Sequence, residues 1–409
     1  MRVAVIAHNY IRENLQLQPW RYLHEIAKGL IALSCELVVI TDGYPHLRKT
    51  TVIENVPVIR LPHVKHFPPT NFDSIARTIA EINPDVILWL MGLTSFFQKR
   101  LYERLGYNIV ALVGSPVYSI KKLLTNFSLS DFLQNINQLT TSFAETLTPR
   151  HLIRGTFNLD SIKAVVTMSE RNKENLRNIG VKSDKLVSIP VGADPFFLQL
   201  PPSRDVSKAR EKVCDGENNC FLITFFGPPL TIRGIDTLLL AVKLAMEKSR
   251  SSRIRLLILS REQRREHVAS RRRLERLATK LGLIKMIRFE HGFLGRNEIK
   301  TYLAASDLLA LPFKHVVSDV PVSILEGMCL GKPVLSTNLD GIPELLDDGR
   351  GFIIDPGDVR GLAQNIAYCC ENMGKVEICG EQARKYMLSF SSWEDSVLKM
   401  HSLLRRFTE

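Results

Sequence analysis

Short apolar runs alternate along this chain with longer stretches in which apolar residues recur every three or four positions. Val3–Ala7 predicts a strand, a polar loop runs through Gln18, Trp20–Leu33 has the spacing of an amphipathic helix, and Leu37–Thr41 predicts the next strand. Phe221–Phe226 opens a second series of the same kind. Continuous apolar strands separated by helical runs are buried on both faces, which predicts an α/β class with a mainly parallel sheet under helices. A chain of 409 residues is long for one core, so two domains are expected. We read the first as residues 1–200 and a linker as 201–218, opening on Pro201 and Pro202. The second domain is 219–388 and a last helix covers 389–409.

The stretch Ser323–Leu346 is the most structured part of the pattern. Ser323 and Glu326 have the spacing of a capping box, which predicts a helix opening at Ser323. Leu325, Met328, Cys329 and Leu330 give that helix a buried side, and Gly331 ends it. Val334 and Leu335 predict a short strand. Asn338, Asp340 and Gly341 then form a turn before Pro343, which suits the first position of another helix. A loop running into a helix N-terminus at the carboxyl edge of a parallel sheet is where phosphate-bearing ligands bind.

Composition narrows the function classes. Nowhere is an apolar stretch long enough to span a bilayer, and the first strand is too short and too soon followed by charge to be a signal peptide, so a cytoplasmic protein is expected. Seven scattered cysteines without a Cys-x-x-Cys pair predict neither a zinc site nor a disulfide framework, and their odd number points to reduced thiols. Cys329 reads as core. The net charge of +12 favours phosphates, nucleic acid or an anionic membrane. Its densest run, Arg261–Lys280, reads as a solvated helix face; no nucleic-acid motif accompanies it, so nucleic acid is not an expected partner. In Val117–Leu147, Leu123, Leu124, Phe127, Phe132, Ile136, Leu139 and Phe143 fall at helical spacing beside Lys121 and Lys122. That segment is either a helix packed on its own domain or an element lying against an acceptor or lipid. The loop after Ala7 lacks the glycines of a dinucleotide site, Gly327–Lys332 is one residue short of a P-loop, and no nucleophile elbow is present.

Several motifs in order resemble the retaining glycosyltransferases of family 4, also called group 1, over about four-fifths of the chain. Glu326, then Gly331-Lys332-Pro333-Val334 and Gly341-Ile342-Pro343-Glu344, are similar to the family's signature region. Phe225–Leu239 resembles its first C-terminal-domain strand, glycine loop and helix, with Gly227 at the loop glycine and Arg233-Gly234 at the basic-glycine pair. Ala164–Asp194 resembles the end of its N-terminal domain, and the last helix resembles one that crosses back onto that domain. The resemblance implies a GT-B fold, two Rossmann-like domains facing across a cleft.

It also implies roles. Glu326 would accept hydrogen bonds from donor ribose hydroxyls, and Arg233 would hold the diphosphate beside Gly227 and the amides of Val322 and Ser323. Ser318, standing where the family has its first glutamate, and the adjacent Asp319 would lie by the sugar ring as the catalytic candidates; Phe293 would lie near the base. There are departures. Pro228 replaces a second arginine, the loop after Ala7 lacks the family's glycine pair, and Gly114-Ser115 stands where its cleft histidine is expected, with His8 and His151 as substitutes. No metal ligands and no cofactor beyond the donor are expected.

The function this implies is metal-independent, retaining transfer of a sugar from a nucleotide-diphosphate-sugar to a hydroxyl of a glycan or lipid-linked acceptor. Peripheral contact with an anionic membrane on the cytoplasmic face goes with it. The alternative is a catalytically degenerate GT-B protein that binds nucleotide or sugar as partner to another transferase.

Overall fold

The computed structural model describes residues 1–15, 17–43, 49–61, 72–114, 126, 131, 147–217, 219–249, 253–260, 265–292, 294–316 and 318–408. The first sheet is built from β1 (Arg2–Ile6), β2 (Glu36–Asp42), β3 (Thr50–Ile53), β4 (Val56–Leu61), β5 (Val86–Met91), β6 (Ile109–Val113), β7 (Ile162–Thr167) and β8 (Leu186–Ser188). Its order is β3-β4-β2-β1-β5-β6-β7-β8, parallel except for the β3–β4 hairpin. Helices α1 (Trp20–Ala32), α2 (Phe72–Ile82), α3 (Lys99–Leu105), α4 (Arg150–Phe157), α5 (Glu170–Asn178) and α6 (Pro195–Leu198) belong to this part of the chain.

The second sheet, β9 (Phe221–Phe226), β10 (Ile254–Ser260), β11 (Ile287–His291), β12 (Leu308–Leu311), β13 (Val334–Thr337) and β14 (Gly351–Ile354), is parallel throughout, in the order β11-β10-β9-β12-β13-β14. Its helices are α7 (Ser203–Cys214), α8 (Ile235–Ser249), α9 (Arg265–Lys280), α10 (Arg296–Ala305), α11 (Val322–Cys329), α12 (Ile342–Leu346), α13 (Val359–Glu371) and α14 (Met373–Ser389). Strands such as β5, β6 and β9 are buried at every residue, as the unbroken apolar runs require.

The stretch 201–218 holds α7, which packs on α10. Val206, Ala209 and Val213 turn toward the second core, and Arg210 forks onto Asp307 at 2.9 and 2.8 Å. Helix α7 therefore belongs structurally with the second sheet. Past it, an αL pair at Asp215 and Gly216 folds the chain back so that Cys214 and Cys220 stand as a disulfide, contrary to the expectation of reduced thiols; the other five cysteines are free and buried.

Helix α15 (Trp393–Arg405) leaves the second unit and lies on α1 of the first. The contact is close because Gly29 has no Cβ; one placed there would come within 2.3 Å of Val397 Cγ2. Gly192 likewise passes against the backbone of Trp393, Ala193 N–H donates to Ser391 O at 2.9 Å, and the Tyr22 and Trp393 rings meet. Within α9, Arg272 and Arg276 are exposed while Leu274 and Ala278 are buried, the one-sided pattern of a helix with a solvated basic face. Among the described residues no helix is long and apolar enough to cross a membrane.

Candidate functional site at the carboxyl edges of two sheets

The second sheet has one point where successive strands leave in opposite directions. The chain runs outward from β9 through β10 to β11, then returns to β12 on the other side of β9 and continues through β13 to β14. The loops after β9 and β12 part there and leave a crevice at the carboxyl edge, where open α/β sheets bind ligands.

Gly227 follows β9 with φ +144°, and a Cβ placed on it would meet nothing within 4 Å, so this backbone borders open space. The turn Thr231–Arg233 closes on Gly234 at φ +76°. A Cβ on Gly234 would lie 1.7 Å from the Pro312 carbonyl oxygen, so only glycine lets the two loops pass. Lys314 and His315 N–H groups both donate to Ile232 O at 3.0 Å, and the Arg233 guanidinium sits 5.3 Å from the Phe313 ring centroid, a cation–π distance. Burial, and then the Arg233 charge, push the buried His315 down to about 3, which leaves its ring neutral near pH 7. Lys314 Nζ lies between Asp131 at 3.1 Å and Asp236 at 2.8 Å, and burial raises the Asp236 carboxyl above its ordinary range despite that partner. Apart from Asn126, Asp131 and Leu147, the amphipathic segment Val117–Leu147 lies outside the described residues.

After β12 the chain reaches Ser318, whose buried Oγ has no hydrogen-bond partner among the described residues. Asp319 is fully buried, and both its carboxylate oxygens lie 2.7 Å from Ser169 Oγ of the first unit. Its N–H donates to Gly114 O at 3.4 Å, and its carbonyl accepts Gly341 N–H at 3.2 Å. Burial, with the nearby Asp340 and Glu344 charges, pushes the Asp319 carboxyl up to about 7. In this conformation the Asp319 carboxyl thus has a hydrogen-bond partner across the domain boundary.

The helix after it has its N-cap two residues earlier than its spacing predicts. Pro321 is the N-cap of α11, with no side-chain cap hydrogen bond, so Val322 and Ser323 are its first two residues and the expected Ser323–Glu326 capping box is not formed. The N–H groups of a first turn have no intrahelical acceptor, which leaves those of Val322 and Ser323 facing the loop side. Glu326, buried one turn further in, instead meets Arg21 of α1, with Nη1 to Oε1 at 3.4 Å. Arg21 Nη2 also bonds Asp194, which pairs in turn with Arg296 and accepts Phe196 N–H at 3.0 Å as the cap of α6. Gly331 ends α11 in the left-handed region as expected, and the Cys329 thiol lies in the core, pushed up to about 12 by burial. Helix α12 starts at Ile342 with Pro343 as its second residue. Phe293 lies outside the described residues.

The structure thus gathers Gly227, Arg233, Ser318, Val322, Ser323 and Glu326 around the loops after two adjacent strands. It adds residues that local patterns do not show. Besides Arg21 and Ser169, Glu344 accepts the first two N–H groups of α5, Glu170 at 3.1 Å and Arg171 at 2.5 Å, and Arg171 Nη1 donates to Asn338 at 2.9 Å. Ser169 could be seen as the N-cap it is, since its Oγ accepts Asn172 N–H, but not as a partner of Asp319. His8 holds the Trp20 indole N–H through its carbonyl at 2.6 Å, and His151 is exposed on α4. Gly114 packs on Pro19, and Ser115 lies outside the described residues.

Two parallel-sheet units that meet at their carboxyl edges, bridged by a last helix that returns to the first, have the architecture of GT-B glycosyltransferases. Sucrose-phosphate synthase from Thermosynechococcus elongatus superposes with a TM-score of 0.77 at 16% identity, over 99% of this chain and 98% of that one. Anabaena HepE in complex with UDP superposes with a TM-score of 0.74 at 17% identity, over 99% of this chain and all of that one. The model for Glycosyl transferases group 1 matches residues 220–372, and that for Glycosyltransferase Family 4 matches residues 20–196. The chain therefore belongs to the group 1 glycosyltransferases of family 4. The putative colanic acid biosynthesis glycosyltransferase WcaL of Escherichia coli (strain K12) is 37% identical over 81 residues, 19% of this chain and 20% of that protein. The O-antigen chain mannosyltransferase B of Escherichia coli is 25% identical over 239 residues, 58% of this chain and 59% of that protein. The matched region thus spans about a fifth of the first relative and under two-thirds of the second.

Proposed function

We propose that this glycosyltransferase moves a sugar from a nucleoside-diphosphate-sugar to a hydroxyl of a glycan or lipid-linked acceptor, with retention at the anomeric carbon. The observation that supports this most is the convergence of Gly227, Arg233 and the start of α11 on the crevice between β9 and β12. Arg233 supplies forked donors for the diphosphate, and the open backbone at Gly227 lets its oxygens approach closely. The N–H groups of Val322 and Ser323 add partial positive charge where the leaving group gains negative charge. On this reading the chain needs no metal and no cofactor besides the donor, because these groups meet the departing charge.

Glu326 fixes the ribose by accepting from its hydroxyls. Ser318, whose buried oxygen has no partner among the described residues, is assigned to the sugar ring, and Phe293 is assigned to the base by the family resemblance alone. The acceptor hydroxyl enters from the first unit and attacks on the face from which the diphosphate leaves. Asp319 serves the docking of the units rather than the sugar. The complex of Anabaena HepE, which shares this fold, with UDP supports a nucleotide ligand for this chain. The reaction is placed in the cytoplasm, and the net charge of +12 favours an anionic membrane face nearby.

The test is thermal denaturation with UDP, GDP, ADP and their sugar conjugates, without metal and then with it. One nucleotide should raise the melting temperature, and Glu326→Gln should abolish that shift. Incubation of the same conjugates with candidate acceptors should give a product whose anomeric configuration, read by NMR, matches the donor. No shift with any nucleotide overturns the donor site. Binding without transfer to any acceptor turns the reading to a degenerate partner protein.

A further inference from the structure

We infer that Arg21, a residue of the first unit, is a positioning residue for ribose recognition by the second unit: it holds the Glu326 carboxylate in the orientation that receives the ribose hydroxyls. The inference rests on the reading of Glu326 as the ribose acceptor. The Glu326 carboxylate has 11% of its side chain exposed, and Arg21, itself 11% exposed, puts Nη1 3.4 Å from its Oε1. Arg21 is not a loose surface group, because its other nitrogen is fixed on Asp194. Asp194 is in turn fixed by Arg296 and by the N–H of Phe196.

The fork of a guanidinium suits this arrangement, since one arm anchors to Asp194 while the other sets the rotation of the Glu326 carboxyl about its last bond. The pair also spans the two units. Arg21 lies in the first turn of α1, directly after the loop that leaves β1, and β1 borders the switch point of the first sheet with β5. Glu326 lies one turn into α11, beyond the switch point of the second. Docking of the units therefore sets the ribose-binding carboxylate, and a ribose held by Glu326 favours the docked state in return.

Calorimetric titration with UDP, GDP and ADP and with the 2′-deoxy form of each tests this. Wild type should prefer one ribonucleotide to its deoxy form. Arg21→Met should weaken that ribonucleotide about tenfold or more and leave the deoxy form within about twofold, so that discrimination collapses. Arg21→Lys should recover part of it, and Arg21→Met with Glu326→Gln should behave as Glu326→Gln alone. If Arg21→Met does not fold, the lysine variant and the double variant, which leaves no acid at 326, carry the comparison. If Glu326→Gln loses the discrimination and the Arg21 variants keep it, the positioning role is overturned and the ribose reading stands. If Glu326→Gln itself keeps the discrimination, or wild type binds none of the three nucleotides, the underlying reading fails and this one with it.

Discussion

Ser169 Oγ lies 2.7 Å from both carboxylate oxygens of Asp319, although 150 residues separate them. One hydroxyl serves two units at once, because the same oxygen accepts Asn172 N–H as the cap of α5. The acid pushed up to about 7 is thus placed in the contact between the units rather than facing solvent.

The position of Asp319 has a pH signature. An acid with a native pKa of about 7 and an ordinary value of 3.8 binds more protons folded than unfolded between the two. Its contribution to stability is therefore most favourable at the acid end and is lost as pH rises through that window. Asp319→Asn removes the titration while keeping the shape. Relative to wild type, its melting temperature should rise from about pH 5 to about pH 8. Parallel melting curves for the two proteins across that range would show that the carboxyl does not titrate there.

Glu344 should matter through the units' contact. Its carboxylate accepts two helix-start N–H groups of α5, so Glu344→Ala leaves both without this acceptor. A loss of about 1–2 kcal/mol in chemical denaturation is expected. Glu344→Gln should retain part of it, since one amide oxygen can still accept. A loss confined within error for both variants would count against the contact in solution.

Gly234 is the most exacting position near the candidate site. Gly234→Ala demands a left-handed alanine and also drives its Cβ into the Pro312 carbonyl. Because the obstacle is backbone, the loops after β9 and β12 must separate, at a cost on the order of 3 kcal/mol. Arg233 moves with them, so nucleotide affinity should fall together with melting temperature. Retained affinity in a destabilised variant would separate the turn from binding.

Gly29→Ala probes the returning helix. Here the obstacle is the Val397 side chain, with three atoms between 2.3 and 2.9 Å of the new Cβ. The expected cost is about 1–3 kcal/mol. Val397→Ala in the same chain should relieve much of it, and failure of that rescue, measured by chemical denaturation, would point to strain in α1 instead.

Much of this was legible from the chain itself, for reasons that are local. Phe221–Phe226 is a strand with the limits its apolar run predicts, and Gly331 ends α11 because only a left-handed residue fits there. Family resemblance drew Gly227, Arg233 and Glu326 to one region, and the strand order explains why they meet. The capping box misled because Ser323 and Glu326 have the right spacing for it in any helix that starts at Ser323. Pro321 caps this one instead and puts Glu326 at the fifth helical position, two beyond the one that can reach back. The pairings Arg21–Glu326, Ser169–Asp319 and Glu344 with α5 join residues more than 100 positions apart. No periodicity records such pairs. In 201–218, charged residues on the outer side of α7 concealed the spacing of Val206, Ala209 and Val213 on its inner side.

The return of α15 to α1 carries a consequence for synthesis. Gly29 and Tyr22 leave the ribosome early, yet Val397 and Trp393, which cover them, emerge only after the whole second sheet has been made, an interval on the order of tens of seconds. The domain translated first is therefore completed last, and its uncovered α1 face is the surface that a nascent chain of this protein must keep from aggregating.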